Sequence, residues 1–138
     1  MTYYGYADGG VFHNQTPSKR KAYISFKIFD SEDKKNFVVH YNDSLNNSYT
    51  NNQAEYIAIT RLLNEFLAQF NAFDIRPTHL KVFTDSQLVV NQLKGEFKVK
   101  SDNIRTYYDT LKKIILNFPV PIEIEWISRT EIVKILGH

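Results

Sequence analysis

Alternating and helically spaced apolar residues divide the chain into nine elements. Thr2–Asp8 is Tyr-rich and reads as a first strand, ended by Gly9-Gly10, where the backbone needs either positive φ or room for a ligand. Ile24, Phe26 and Ile28 alternate with Tyr23, Ser25 and Lys27, so Ala22–Phe29 is a second strand. A charged turn, Asp30–Lys35, leads to a third strand at Asn36–Tyr41 and a polar loop at Asn42–Tyr49. Thr50–Phe70 is the clearest helix. Thr50, Asn51 and Asn52 can cap it, and Ile59, Leu62, Leu63, Phe66, Leu67 and Phe70 form its apolar stripe. Pro77 breaks it. Leu80–Thr84 is a fourth strand that runs into Asp85, and a short helix over Ser86–Leu93 ends at Gly95. Asn103–Phe118 is an amphipathic helix, Ile122–Trp126 alternates cleanly as a fifth strand, and Thr130–Leu136 makes a last helix.

That order, β-β-β-α-β-α-α-β-α, combines an antiparallel meander with helical crossovers. A crossover implies parallel pairing, and the economical partner for the fourth strand is the first. The expectation is an α/β fold whose five-stranded mixed sheet has the order 3-2-1-4-5, flanked by helices. Asp8 and Asp85 would then end adjacent parallel strands about 4.8 Å apart, where ligands bind in open α/β sheets.

Composition narrows the classes. The 138 residues suit one domain, 1–138, and 43% hydrophobic residues suit a packed core. Cysteine is absent, which removes disulfides, thiolate metal sites and cysteine nucleophiles and fits a reducing compartment. No signal peptide or membrane-length apolar run is seen, so a cytoplasmic monomer is expected. The net charge of +2 allows a nucleic-acid partner without requiring one.

Glu55 falls on the same side of its helix as Ile59 and Leu62. A buried, unpaired charge is costly, so an Arg, a Lys or a metal must compensate it. With Asp8 and Asp85 beside it, repulsion would raise carboxylate pKa values unless cations neutralise them. An all-oxygen set suits Mg²⁺ or Mn²⁺, and two such ions can clamp the attacking and leaving oxygens of a phosphodiester. Each acid alone has a plain alternative: a turn at Asp8-Gly9-Gly10, a helix cap at Asp85, a dipole-favoured first-turn acid at Glu55. Their convergence is harder to explain as structure.

Four segments in order, Tyr6-Ala7-Asp8-Gly9-Gly10, Thr50-Asn51-Asn52-Gln53-Ala54-Glu55, Thr84-Asp85-Ser86-Gln87 and Trp126-Ile127-Ser128-Arg129, resemble the successive motifs of type 1 ribonuclease H across nearly the whole chain. The resemblance implies an endonuclease that cuts the RNA strand of RNA–DNA hybrids with two Mg²⁺ or Mn²⁺ ions, independently of sequence, leaving 5′-phosphate ends. It implies Asp8, Glu55 and Asp85 as catalytic metal ligands. It also implies hybrid contacts by Gly9 backbone, Asn51 and Asn52 in the minor groove, with Thr50 and Ser101 at a DNA-strand phosphate. A wide, shallow minor groove showing 2′-hydroxyls can be read in this way.

The chain departs from that family twice. Leu93–Lys100 replaces the basic protrusion of longer members, which implies weaker hybrid affinity; Lys94, Lys98 and Lys100 read equally well as a solvated face. No Asp follows Arg129 to supply the family's fourth acid. Glu131 or His138 is the available replacement, and His138 is expected to complete the second metal's shell. His13, His40 and His79 read as structural or exposed, and Lys19-Arg20-Lys21 as an ordinary solvated run. Alternative readings are a catalytically silent hybrid- or RNA-binding module, or another nuclease of the same fold.

Overall fold

The computed structural model describes residues 1–12, 21–34, 37–45 and 49–137. The strands are β1 (Thr2–Phe12), β2 (Lys21–Phe29), β3 (Phe37–Ser44), β4 (His79–Thr84) and β5 (Ile122–Trp126). The helices are α1 (Asn51–Ala68), α2 (Gln87–Leu93), α3 (Asp102–Leu116) and α4 (Arg129–Leu136). The sheet order is β3-β2-β1-β4-β5, with β1 antiparallel to β2 and parallel to β4. The expected topology therefore holds.

Period-2 patterning explains the two faces of this sheet. Ile24, Phe26 and Ile28 from β2, and Leu80 and Val82 from β4, join Tyr56, Ile59, Leu62, Leu63 and Phe66 of α1 in the main core. The opposite face carries a smaller cluster, in which Tyr6 and Phe29 meet Ile132 and Leu136 of α4. The apolar stripe of α1 is shorter than expected: Leu67 is exposed, and Phe70 lies past the helix end, packed at the edge of the core.

Two expected boundaries are corrected. β1 does not end at Asp8. It continues through Gly9 and Gly10, which pair with Ile24 and Tyr23, and neither glycine has positive φ. Close approach explains the glycine at position 9: a Cβ there would sit 2.2 Å from the Ala54 carbonyl oxygen. β3 likewise runs on through Asn42, Asp43 and Ser44, because β2 offers Ser25, Ile24 and Tyr23 as ladder partners. Asn36, Pro17 and part of the polar loop after β3 lie outside the described residues.

β1 and β4 part company just where chemistry is expected. Their pairing stops at Tyr6 and Phe83, and β4 ends one residue later while β1 goes on beside β2. The crevice this opens receives Asp8 from β1, Asp85 from the turn after β4, and the first turn of α1.

Candidate active site

Asp8 is buried in the middle of β1, whereas Glu55 and Asp85 lie at the rim. Each offers a carboxylate oxygen, and those atoms all lie within 4.8 Å of one another. Local structure fixes all three. Thr50 caps α1 by accepting from the Gln53 backbone N–H at 3.2 Å, and Gln53 Oε1 accepts from the Thr50 N–H at 3.0 Å. This reciprocal box starts the helix and sets Glu55 at the beginning of its second turn. Ser86 caps α2 through Val89 N–H at 3.2 Å, leaving Asp85 out of the helix and facing the crevice. The Trp126 indole N–H holds the Asp85 carbonyl at 3.2 Å.

A guanidinium answers the repulsion. Arg129 opens α4, and its Nη1 donates to Asp8 Oδ2 at 2.8 Å and to Asp85 Oδ2 at 3.1 Å. Arg129 is the compensating cation expected beside these acids, although their spacing alone does not single it out. The signal was present, since Arg129 ends the fourth motif segment. Burial works against its charge, but Asp8 outweighs that and raises its pKa above the ordinary value. The Tyr23 hydroxyl completes this side of the site, 3.4 Å from Asp8 Oδ2, with its pKa raised by burial and then by Asp8.

Among the described residues no cation pairs with Glu55 at close range; the Thr84 hydroxyl donates to its Oε2 at 3.5 Å. Burial first, then the charges of Asp8 and Asp85, raise its pKa well above the ordinary 4.5. The Gly9 backbone N–H and Arg129 oppose the rise without cancelling it. In metal-free protein the folded state therefore keeps a proton on Glu55 that the unfolded chain has already released. The linkage sign follows: this stabilisation is full below pH 4.5 and is lost as pH rises through the raised value. Thermal melts in chelator should show a pH-dependent fall over that window, and Glu55→Gln should flatten it. An equally steep fall in Glu55→Gln would place the titration elsewhere.

The other expected site residues divide. Asn51 and Asn52 are exposed in the first turn of α1, and Thr50, not they, caps the helix. Ser101 is the N-cap residue of α3 but makes no capping bond; its hydroxyl donates to Asn103 Oδ1. Gln53 Nε2 also donates to the Asn103 carbonyl at 2.8 Å, so one amide ties the starts of α1 and α3 together. Thr50 and Ser101 are thus brought to one edge by a residue the sequence reading passed over. Glu131 is not in the acidic group. It pairs with Lys134 at 3.6 Å, as a first-turn acid stabilised by its own helix. Gly137 ends α4 with φ of 86°, and His138 lies outside the described residues, as do His13, Lys19 and Arg20. His40 and His79 are exposed. Residues 94–101 contain no helix or strand; Lys94 is paired with Glu125 at 3.4 Å, and Lys98 and Lys100 are exposed. No helix among the described residues is long and apolar enough to cross a membrane.

The reverse transcriptase-like family matches residues 8–134, and the chain belongs to that family. Its fold is that of type 1 ribonuclease H domains. RNase H1 from the archaeon Halobacterium salinarum superposes with a TM-score of 0.80 at 21% identity, over 99% of this chain and 92% of that one. The N-terminal RNase H domain of a Mycobacterium tuberculosis protein gives 0.77 at 23% identity, over 99% and 91%. LC11-RNase H1, solved in complex with an RNA/DNA hybrid, gives 0.79 at 25% identity, over 96% and 89%. The curated proteins gave no match.

Removing Arg129 separates its two duties. Arg129→Ala strips the cation from a buried Asp8, which should cost the metal-free protein roughly 1–2 kcal/mol, discounted because the arginine is half exposed. The same change frees two carboxylates, so the melting-point gain on adding Mn²⁺ should exceed that of the parent. A smaller gain would mean that Arg129 assists metal binding.

Proposed function

We propose that this protein hydrolyses the RNA strand of RNA–DNA hybrids, endonucleolytically and without regard to sequence, leaving 5′-phosphate ends. The observation that carries this reading is the convergence of Asp8, Glu55 and Asp85 within 4.8 Å at the opening between β1 and β4. Three carboxylates with no sulfur or nitrogen donor fit Mg²⁺ or Mn²⁺. Bound there, two ions would activate a water and offset the charge that develops on the phosphodiester. Asp8, fixed in its strand, would hold the ions together with Glu55 and Asp85.

The remaining residues orient the duplex. Asn51 and Asn52 are exposed beside Glu55, short enough to meet 2′-hydroxyls without reading bases. Thr50 and Ser101, joined through Gln53 and Asn103, present two hydroxyls near two helix N-termini, a setting that favours a phosphate. The hybrid bound by LC11-RNase H1 makes this substrate the natural one to try. The same reading takes residues 1–138 as one catalytic domain, working as a cytoplasmic monomer.

A labelled hybrid, a DNA duplex and an RNA duplex, each incubated with Mg²⁺ or Mn²⁺, test the proposal. Only the RNA strand of the hybrid should be cut. Failure at every metal concentration would remove the catalytic reading. A silent hybrid-binding module then takes its place, and one observation favours that alternative: Arg129 stands between two of the three carboxylates, with no fourth acid in the group among the described residues. Retained hybrid binding without cleavage would identify it.

A further inference from the structure

On the sheet face away from α1, a cleft of about 470 Å³ opens between α4, β4 and the start of β1. Its volume falls in the range of small-molecule sites, roughly 300–1,000 Å³. Phe83 stacks on the buried Tyr6, with ring centres 5.0 Å apart and planes 14° from parallel, and Tyr4 extends the aromatic lining. Two amines reach the same space. Lys81 comes from β4, and Lys34 from the turn after β2, with its Nζ 5.6 Å from the centre of the Tyr6 ring. Lys34 has φ of 60°, a conformation where Gly or Asn is customary, so this turn holds a lysine at some cost. Glu32 and Glu131 line the cleft as well.

We propose that this cleft binds a single nucleotide, its base lying against the partly exposed Phe83 and Tyr4 rings and its phosphate between Lys34 and Lys81. The mixed lining fits that chemistry better than a long polyanion. Two carboxylates beside two amines repel a run of phosphates, but they accept hydrogen bonds from ribose hydroxyls or an exocyclic amine. Among the described residues Lys81 pairs with Glu123 at 3.6 Å, an exposed contact weak enough to exchange. The nucleotide is either free or the terminal residue of a strand.

The cleft is joined to the carboxylate site by two residues. Trp126 lines it and donates to the Asp85 carbonyl, and Ser128 lines it one residue before Arg129. Occupancy should therefore be felt at the acids, although binding needs none of them.

Trp126 is the one tryptophan in the chain and lines this cleft, so its fluorescence reports occupancy; because its indole also touches Asp85, the chelator and Asp85→Asn arms separate that signal from events at the carboxylates. Adenosine 5′-monophosphate should quench or shift it saturably in chelator, equally in the parent and in Asp85→Asn. Chelator and Asp85→Asn separate this result from any failure of hybrid cleavage. Adenosine and inorganic phosphate, each alone, should bind at least ~10-fold more weakly. A Lys34→Ala/Lys81→Ala double variant, exposed at Lys34, half-buried at Lys81 and checked for folding by circular dichroism, should weaken the monophosphate ~10-fold. A hybrid with a one-nucleotide overhang tells the sources apart: tighter binding than a blunt hybrid, abolished in the double variant, assigns the cleft to strand ends, and no difference assigns it to free nucleotide. No saturable change at millimolar monophosphate, or the same affinity in the double variant, would overturn the proposal.

Discussion

Asp85→Asn should lower hybrid cleavage by ~10³-fold or more, about 4 kcal/mol of barrier, while the protein stays folded. Asp85 stands outside α2, buried to 10% exposure at its side chain and aimed at Asp8 and Arg129. Asn keeps its shape and its capacity to accept from Arg129, so packing is barely disturbed. What it loses is the negative charge that an ion would need. The thermal readout separates this account from simple damage. Three carboxylates share one guanidinium, so neutralising one relieves repulsion, and the metal-free variant should melt no lower than the parent. Glu55 should also titrate lower, because the Asp85 charge is among the causes that raise it. Added Mn²⁺ should stabilise the variant much less than the parent. Activity within a few fold of normal would mean that the metal site lies elsewhere.

The acids were legible in the sequence because each stands where a pattern changes. Asp85 follows the last residue of an alternating strand, and Glu55 shares a helix side with Ile59 and Leu62. Both readings needed only periodicity. Sheet order was legible too, since three meander strands and one crossover leave few arrangements. Arg129 was harder. It lies 121 residues from Asp8, and nothing local distinguishes an arginine at a helix start from any solvated one. Its role comes from β5 lying beside β4, which delivers the start of α4 to the mouth of the crevice. Gln53 was hidden for a similar reason: its backbone partner, Asn103, belongs to another helix. Strand ends were least legible, because β1 and β3 continue for as long as β2 offers ladder partners, whatever their own residues prefer.

Gly9→Ala should be among the most damaging single-methyl changes in the chain. A Cβ at Gly9 would lie 2.2 Å from Ala54 O, 2.4 Å from Ala54 C and 2.8 Å from Glu55 N. These are backbone atoms in the first turn of α1, which the Thr50–Gln53 box and the apolar residues behind it hold in place. No rotamer can yield, so either β1 or the whole helix start must move. Overpacking of this kind costs about 3 kcal/mol, roughly a 10 °C fall in melting temperature for a domain of this size. Gly95→Ala is the control: it has positive φ but nothing within 4 Å, so only backbone strain of about 1 kcal/mol is expected. The functional loss should exceed the loss of stability. The Gly9 N–H donates to Glu55, and Glu55 rides on the turn that must shift. At a temperature where Gly9→Ala remains folded, its stabilisation by Mn²⁺ should be largely gone, whereas Gly95→Ala should respond like the parent. If Gly9→Ala melts within two or so degrees of the parent and still responds to metal, the close approach of β1 to α1 does not position Glu55.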